Sequence, residues 1–111
     1  MITVLDNFGV KYHQAASINY AANVTLDPAD GTTQYIVPVT GGLNLDISSG
    51  SFDGQFLAFH AKATGGNQTV TWGANVSAGG ATFTLVSNKH YHFVFMYLSS
   101  KWILCYTPDA I

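Results

Sequence analysis

Short runs of β-forming residues, some of them alternating apolar with polar positions, recur along this 111-residue chain between Gly, Asn, Asp and Ser, the pattern of strands joined by turns. This pattern predicts strands near Ile2–Leu5, Ser17–Tyr20, Val24–Leu26, Gln34–Val39, Leu43–Ile47, Gln55–Lys62, Gln68–Trp72, Thr82–Val86, His90–Leu98 and Lys101–Tyr106. Between them stand Asp27-Pro28-Ala29-Asp30-Gly31, Gly41-Gly42, Ser48-Ser49-Gly50, Gly65-Gly66-Asn67, Gly79-Gly80, Ser87-Asn88 and Ser99-Ser100. These residues supply the positive φ values and capped turns that hairpins use. No segment carries a capped 3.6-residue period, so helix is expected to be almost absent.

The alternation also assigns faces. In Gln55–Ala61, Leu57, Phe59 and Ala61 share one side, and Phe56, Ala58 and His60 the other. Both sides are largely apolar, which predicts a central strand covered on both faces. In His90–Leu98, Tyr91, Phe93, Phe95 and Tyr97 face one way; His90, His92, Val94, Met96 and Leu98 face the other. Many short strands without helices predict an all-β domain, an antiparallel β-sandwich or jelly roll. Residues 1–22 are less regular and are expected to form an N-terminal arm or edge segment, with the sandwich over residues 23–111. Within the arm, Ile2, Val4 and Leu5, and then Phe8, Val10 and Tyr12, are apolar positions suited to strand addition on a partner.

Charge narrows the possible partners. Charged residues make up 9% of the chain, against about a quarter in an ordinary domain. The four cations are all lysine and the six anions all aspartate. Without arginine, and with a net charge of −2, there is no basic face for a phosphate backbone, and no nucleic-acid partner is expected. No apolar run is long enough for a membrane-spanning helix, and Met1–Asp6 lacks the features of a signal peptide. Synthesis in a cytoplasm without export by that route is therefore expected. Cys105 is the single cysteine; it precludes an intrachain disulfide and, inside Trp102–Tyr106, reads as a small buried hydrophobe.

From about Asn23 onward the chain resembles a β-domain of tailed-bacteriophage virion proteins, found in tail-fibre segments and head-associated proteins. The resemblance lies in Val24-Thr25-Leu26-Asp27, Leu43-Asn44-Leu45 and the Gly50–Gly54 loop. It sharpens at Gly54-Gln55-Phe56-Leu57-Ala58-Phe59 and Gly65-Gly66-Asn67-Gln68-Thr69-Val70-Thr71-Trp72. It continues through Val76, Gly79-Gly80, Thr82-Phe83-Thr84-Leu85, Phe93-Val94-Phe95 and Trp102. Domains of this kind often have proline after the tryptophan, where this chain has Gly73, and a more acidic turn in place of Ser99-Ser100-Lys101. The resemblance implies a virion structural protein. With so short an N-terminal stretch, the size resembles that of a head decoration or cement protein: a homotrimer on the capsid surface whose partners are itself and the major capsid protein. The arm residues named above would then be the capsid-docking candidates. The alternative is a tail-fibre or receptor-binding module that stacks a host-surface glycan on Trp72 and Trp102.

The chemistry-bearing residues are few. His90 and His92 form an H-x-H pair on one strand face, a spacing that could share a transition metal. With no Glu in the chain and no compact third ligand after it, the pair reads instead as two histidines hydrogen-bonding across an apolar strand, and no metal or cofactor is expected. Asp27 and Asp30 faintly resemble a calcium loop but lack its further carboxylates, so they read as a turn. No G-x-S-x-G, H-E-x-x-H or phosphate-loop motif occurs, and Cys105 is placed where a thiolate is disfavoured. A non-enzymatic protein is expected.

Overall fold

The computed structural model describes residues 15–106, without the side chain of Tyr106. The strands are β1 (Ala15–Ser17), β2 (Asn23–Leu26), β3 (Thr33–Val39), β4 (Leu43–Ile47), β5 (Phe56–Ala63), β6 (Gln68–Trp72), β7 (Thr82–Leu85), β8 (His90–Leu98) and β9 (Lys101–Tyr106). Pro28–Asp30 is a single 3-10 turn, and the described residues contain no α-helix. From residue 23 onward every strand lies within two residues of its expected bounds. The strand expected at Ile2–Leu5, and the docking candidates Ile2, Val4, Leu5, Phe8, Val10 and Tyr12, lie outside the described residues.

Two sheets enclose one core, in the orders β1-β3-β5-β8-β9 and β2-β4-β6-β7. Strands β1 to β6 alternate between the sheets, odd in the first and even in the second. The chain thus winds as a coil, and each return lands parallel to the strand two before it: β1 on β3, β2 on β4, β3 on β5, β4 on β6. Antiparallel pairing, expected throughout, is confined to β5–β8, β6–β7 and β8–β9 among the described residues. The correction has a simple cause. Alternation records which face of a strand is buried and is blind to the direction of its neighbour. Gly41-Gly42, Ser48-Ser49-Gly50 and Gly65-Gly66-Asn67 therefore do not close hairpins; each carries the chain from one sheet to the other.

One tight hairpin does form at a predicted turn. Ser99 and Ser100 take φ values of 51° and 67°, the left-handed pair that a two-residue hairpin needs between right-twisted strands. Asp53 Oδ1 accepts from the Ser99 amide at 3.2 Å and holds the turn down.

The core is aromatic at its centre. Trp72 of the second sheet meets Phe93 and Phe95 of the first edge-on, with ring centroids 5.1 and 5.5 Å apart. Phe83 does the same to Tyr91 and Phe93 at 5.2 and 5.1 Å, the geometry that ring quadrupoles favour. Gln34 is a polar side chain within this interior; its Nε2 donates to the carbonyls of Asp27 and Gly31 at 2.7 and 3.1 Å. Asp27 Oδ1 caps the same turn by accepting from the Ala29 amide at 2.9 Å. The Asp27–Asp30 segment is thus built as a turn.

The outer edge of β9 is bridged at Trp102. The Trp102 amide donates to the Asn75 carbonyl and the Ser77 amide to the Trp102 carbonyl, both at 2.8 Å. This bridge to the 73–81 loop occupies the start of an edge that could otherwise template association. Asp46 anchors the loop by accepting from the Asn75 amide at 3.0 Å, and Asn75 Nδ2 donates to the Ile47 carbonyl at 2.9 Å. Gly73 enters the loop with its amide donating to the Leu45 carbonyl at 2.8 Å, and a Cβ there would overlap the Asp46 side chain. Proline at this position would lose the bond and meet the same obstruction, which accounts for glycine here.

Two face assignments are corrected. Cys105 is exposed, not buried. Cys105 falls on the same outward side of β9 as Lys101 and Ile103, in step with the alternation that turns Trp102 inward, and it is the extra residue of a bulge, since Phe95 pairs with Leu104 and Val94 with Tyr106. Strand β5 is central as expected, but it is covered on one side only: Leu57, Phe59, Ala61 and Ala63 are buried while Phe56 is 54% exposed.

Candidate functional site: the outer face of the five-stranded sheet

Since β5 and β8 are antiparallel and in register from Phe56↔Met96 to Lys62↔His90, their outward residues form rows across the sheet. At one end Phe56, Met96 and Ile103 lie in a row over β5, β8 and β9. Ala58 and Val94 form the next row. Phe56 and Ile103 are 54% and 36% exposed, as are Val37 at 43% and Leu98 at 36% on the same sheet. No Asp or Glu occurs in β3, β5, β8 or β9. The result is an apolar, carboxylate-free strip on the surface, of the kind that marks contact sites.

At the other end lies a histidine cluster. The register sets His60 opposite His92, with Tyr35 of β3 on its other side. His60 Nε2 stands 2.8 Å from His90 Nδ1, and His60 Nδ1 stands 3.4 Å from His92 Nδ1. His60 therefore sits between its two neighbours and uses a different ring nitrogen toward each. The H-x-H pair was visible in the sequence; its third member was not. His60 is thirty residues away in the chain, and only the antiparallel register brings it there.

Among the described residues no group of three or more His, Cys, Asp or Glu side chains is disposed around a common point as metal ligands. The pKa of His60 is lowered from 6.5, first by burial and then by the neighbouring His90 and His92. The sign for stability follows. The unfolded chain takes up this proton at about pH 6.5 and the folded chain only at lower pH, so acidification favours the unfolded state through that window. In chelator-containing buffer, the urea midpoint is expected to fall as pH drops below about 6.5 and to level off below the folded value. In His60→Gln that component of the fall should vanish. An unchanged pH profile in the variant would show that the cluster carries no such penalty.

The other predicted positions fall elsewhere. Trp72 and Trp102 are 4% and 0% exposed, so neither is available to stack a sugar, and a glycan platform on them is excluded. Both are core residues because the alternation of β6 and β9 turns them inward, and Trp102 Nε1 spends its donor on the Ser48 carbonyl at 2.8 Å. No helix among the described residues is long and apolar enough to cross a membrane. Comparison with known proteins finds no matching family model and no matching curated relative.

Proposed function

We propose that the chain is a structural module of a tailed-bacteriophage particle: a head decoration protein that works without catalysis, as a homotrimer on the outer capsid surface. The observation that carries an assembly role is the in-register row Phe56, Met96 and Ile103, with Leu98 beside it, on a face that no second layer covers among the described residues. Large apolar side chains clustered on a rigid sheet suit burial against another subunit. The occupant of this face is a neighbouring copy of the chain in the trimer, packed head to tail so that a different surface of each copy covers the row; no carboxylate of β3, β5, β8 or β9 has to be desolvated there, and Lys62 and Lys101 lie at opposite ends of the rows. The particle itself comes from the resemblance of the chain from about Asn23 onward to phage virion domains. The capsid partner is assigned to the arm residues Ile2, Val4, Leu5, Phe8, Val10 and Tyr12.

The test is binding to undecorated heads, with light scattering for oligomeric state. The full chain should form a trimer and saturate heads. Phe56→Lys with Ile103→Lys should yield a folded monomer with much weaker head binding, because the avidity of linked copies is lost. Deleting Met1–Tyr12 should leave the trimer and abolish head binding. A full chain that is monomeric and ignores heads would overturn the proposal, and binding to host envelopes instead would make the chain an adhesion module.

A further inference from the structure

We propose that His60 and His92 chelate a divalent transition-metal ion through their Nδ1 atoms, with His90 as a positioning residue that accepts the Nε2–H of His60. The geometry carries this. A neutral imidazole has one N–H, and a proton on His60 Nε2, 2.8 Å from His90 Nδ1, leaves the lone pair of Nδ1 facing His92. The two Nδ1 atoms are 3.4 Å apart. Two metal–nitrogen bonds of about 2.0–2.1 Å at a tetrahedral angle hold their nitrogens about 3.3–3.4 Å apart. The observed spacing is thus the bite of a tetrahedral ion, and it is wide for a hydrogen bond between two ring nitrogens.

The rest of the arrangement is consistent with that use. His60 and His92 are directly opposite on two central, paired strands, so the backbone fixes their separation. A ligating histidine ordinarily gives its other N–H to an acceptor that sets tautomer and ring orientation, and His90 occupies that place. Imidazole pairs select borderline ions such as Zn²⁺, Cu²⁺ or Ni²⁺ over Mg²⁺ or Ca²⁺. His92 is exposed and His60 half-buried, so an ion reaches the pair from solvent and completes its shell with water. The site is independent of what packs on the Phe56 end of the sheet.

Zn²⁺ is the probe, titrated into the chelator-stripped full chain in whatever oligomer it forms. One Zn²⁺ per chain should bind with a dissociation constant below about 1 mM and raise Tm by linkage. His60→Ala and His92→Ala should each abolish uptake, and His90→Ala should weaken it by about 10–100-fold. Circular dichroism checks that each variant is folded. Nitrogen-15 spectra of the unaltered protein give a second readout: Zn²⁺ should shift Nδ1 of His60 and His92 while the Nε2–H of His60 persists. No saturable uptake, uptake retained without both His60 and His92, or a shift at Nε2 of His60 would each overturn the site. An unaltered affinity in His90→Ala would overturn the positioning role.

Discussion

Trp102→Ala is expected to lower the free energy of unfolding by about 3–5 kcal/mol, read as a shift of the urea midpoint. Trp102 is fully buried, so truncation leaves a large cavity where β9, the 73–81 loop and the end of β4 meet. Its ring packs on Tyr97 with centroids 5.0 Å apart, and its Nε1 donates to the Ser48 carbonyl at 2.8 Å. That bond ties the first sheet to the exit of β4 in the second, so its loss also leaves a carbonyl without its donor. Trp102→Phe separates the two effects. It keeps most of the ring and removes the donor, and should cost about 1–2 kcal/mol. If the two variants prove equally mild, Trp102 is not the tie between the sheets.

Phe93→Ala should be comparably severe, about 3–5 kcal/mol, while Phe56→Ala in the dissociated chain should change stability by about 0.5 kcal/mol or less. The residue type is the same and the strands are neighbours; the difference is the face. Phe93 is fully buried, stacked on Phe59 at 6.1 Å and met edge-on by Trp72 and Phe83. Phe56 is 54% exposed on the opposite face of the same sheet. The contrast should reverse in assembly, where Phe56 and not Phe93 governs association. A Phe56→Ala chain that unfolds as readily as Phe93→Ala would mean that the outer face is already covered within one chain.

The histidine cluster shows how far local pattern reaches. His90 and His92 are two apart in one strand, so their shared face follows from the pleat alone. The same alternation grouped His60 with Phe56 and Ala58 on one face of its own strand, though that face was expected to be covered. That the two faces coincide, and that His60 stands opposite His92 and not one step along, depends on register, which a two-residue period leaves open. Cys105 shows the opposite failure: it was read as interior because it lies in the apolar run Trp102–Tyr106, whereas the alternation of β9 turns it outward with Lys101 and Ile103.

The sequence by itself determined the strands from residue 23 onward and their approximate limits, because turn residues, β-forming runs and the lack of helix-forming stretches are local properties of the chain; it misplaced the first described strand, expected at Ser17–Tyr20 and found at Ala15–Ser17. It also determined that Tyr91, Phe93, Phe95 and Tyr97 share one strand face. Tertiary structure alone decided that β1 to β6 pass from sheet to sheet and pair in parallel, that the 73–81 loop bridges to β9 at Trp102, and that His60 joins His90 and His92. These follow from contacts between residues far apart in the chain. Their free energy lies in the packing of two sheets around one core, and no short window of sequence contains both partners.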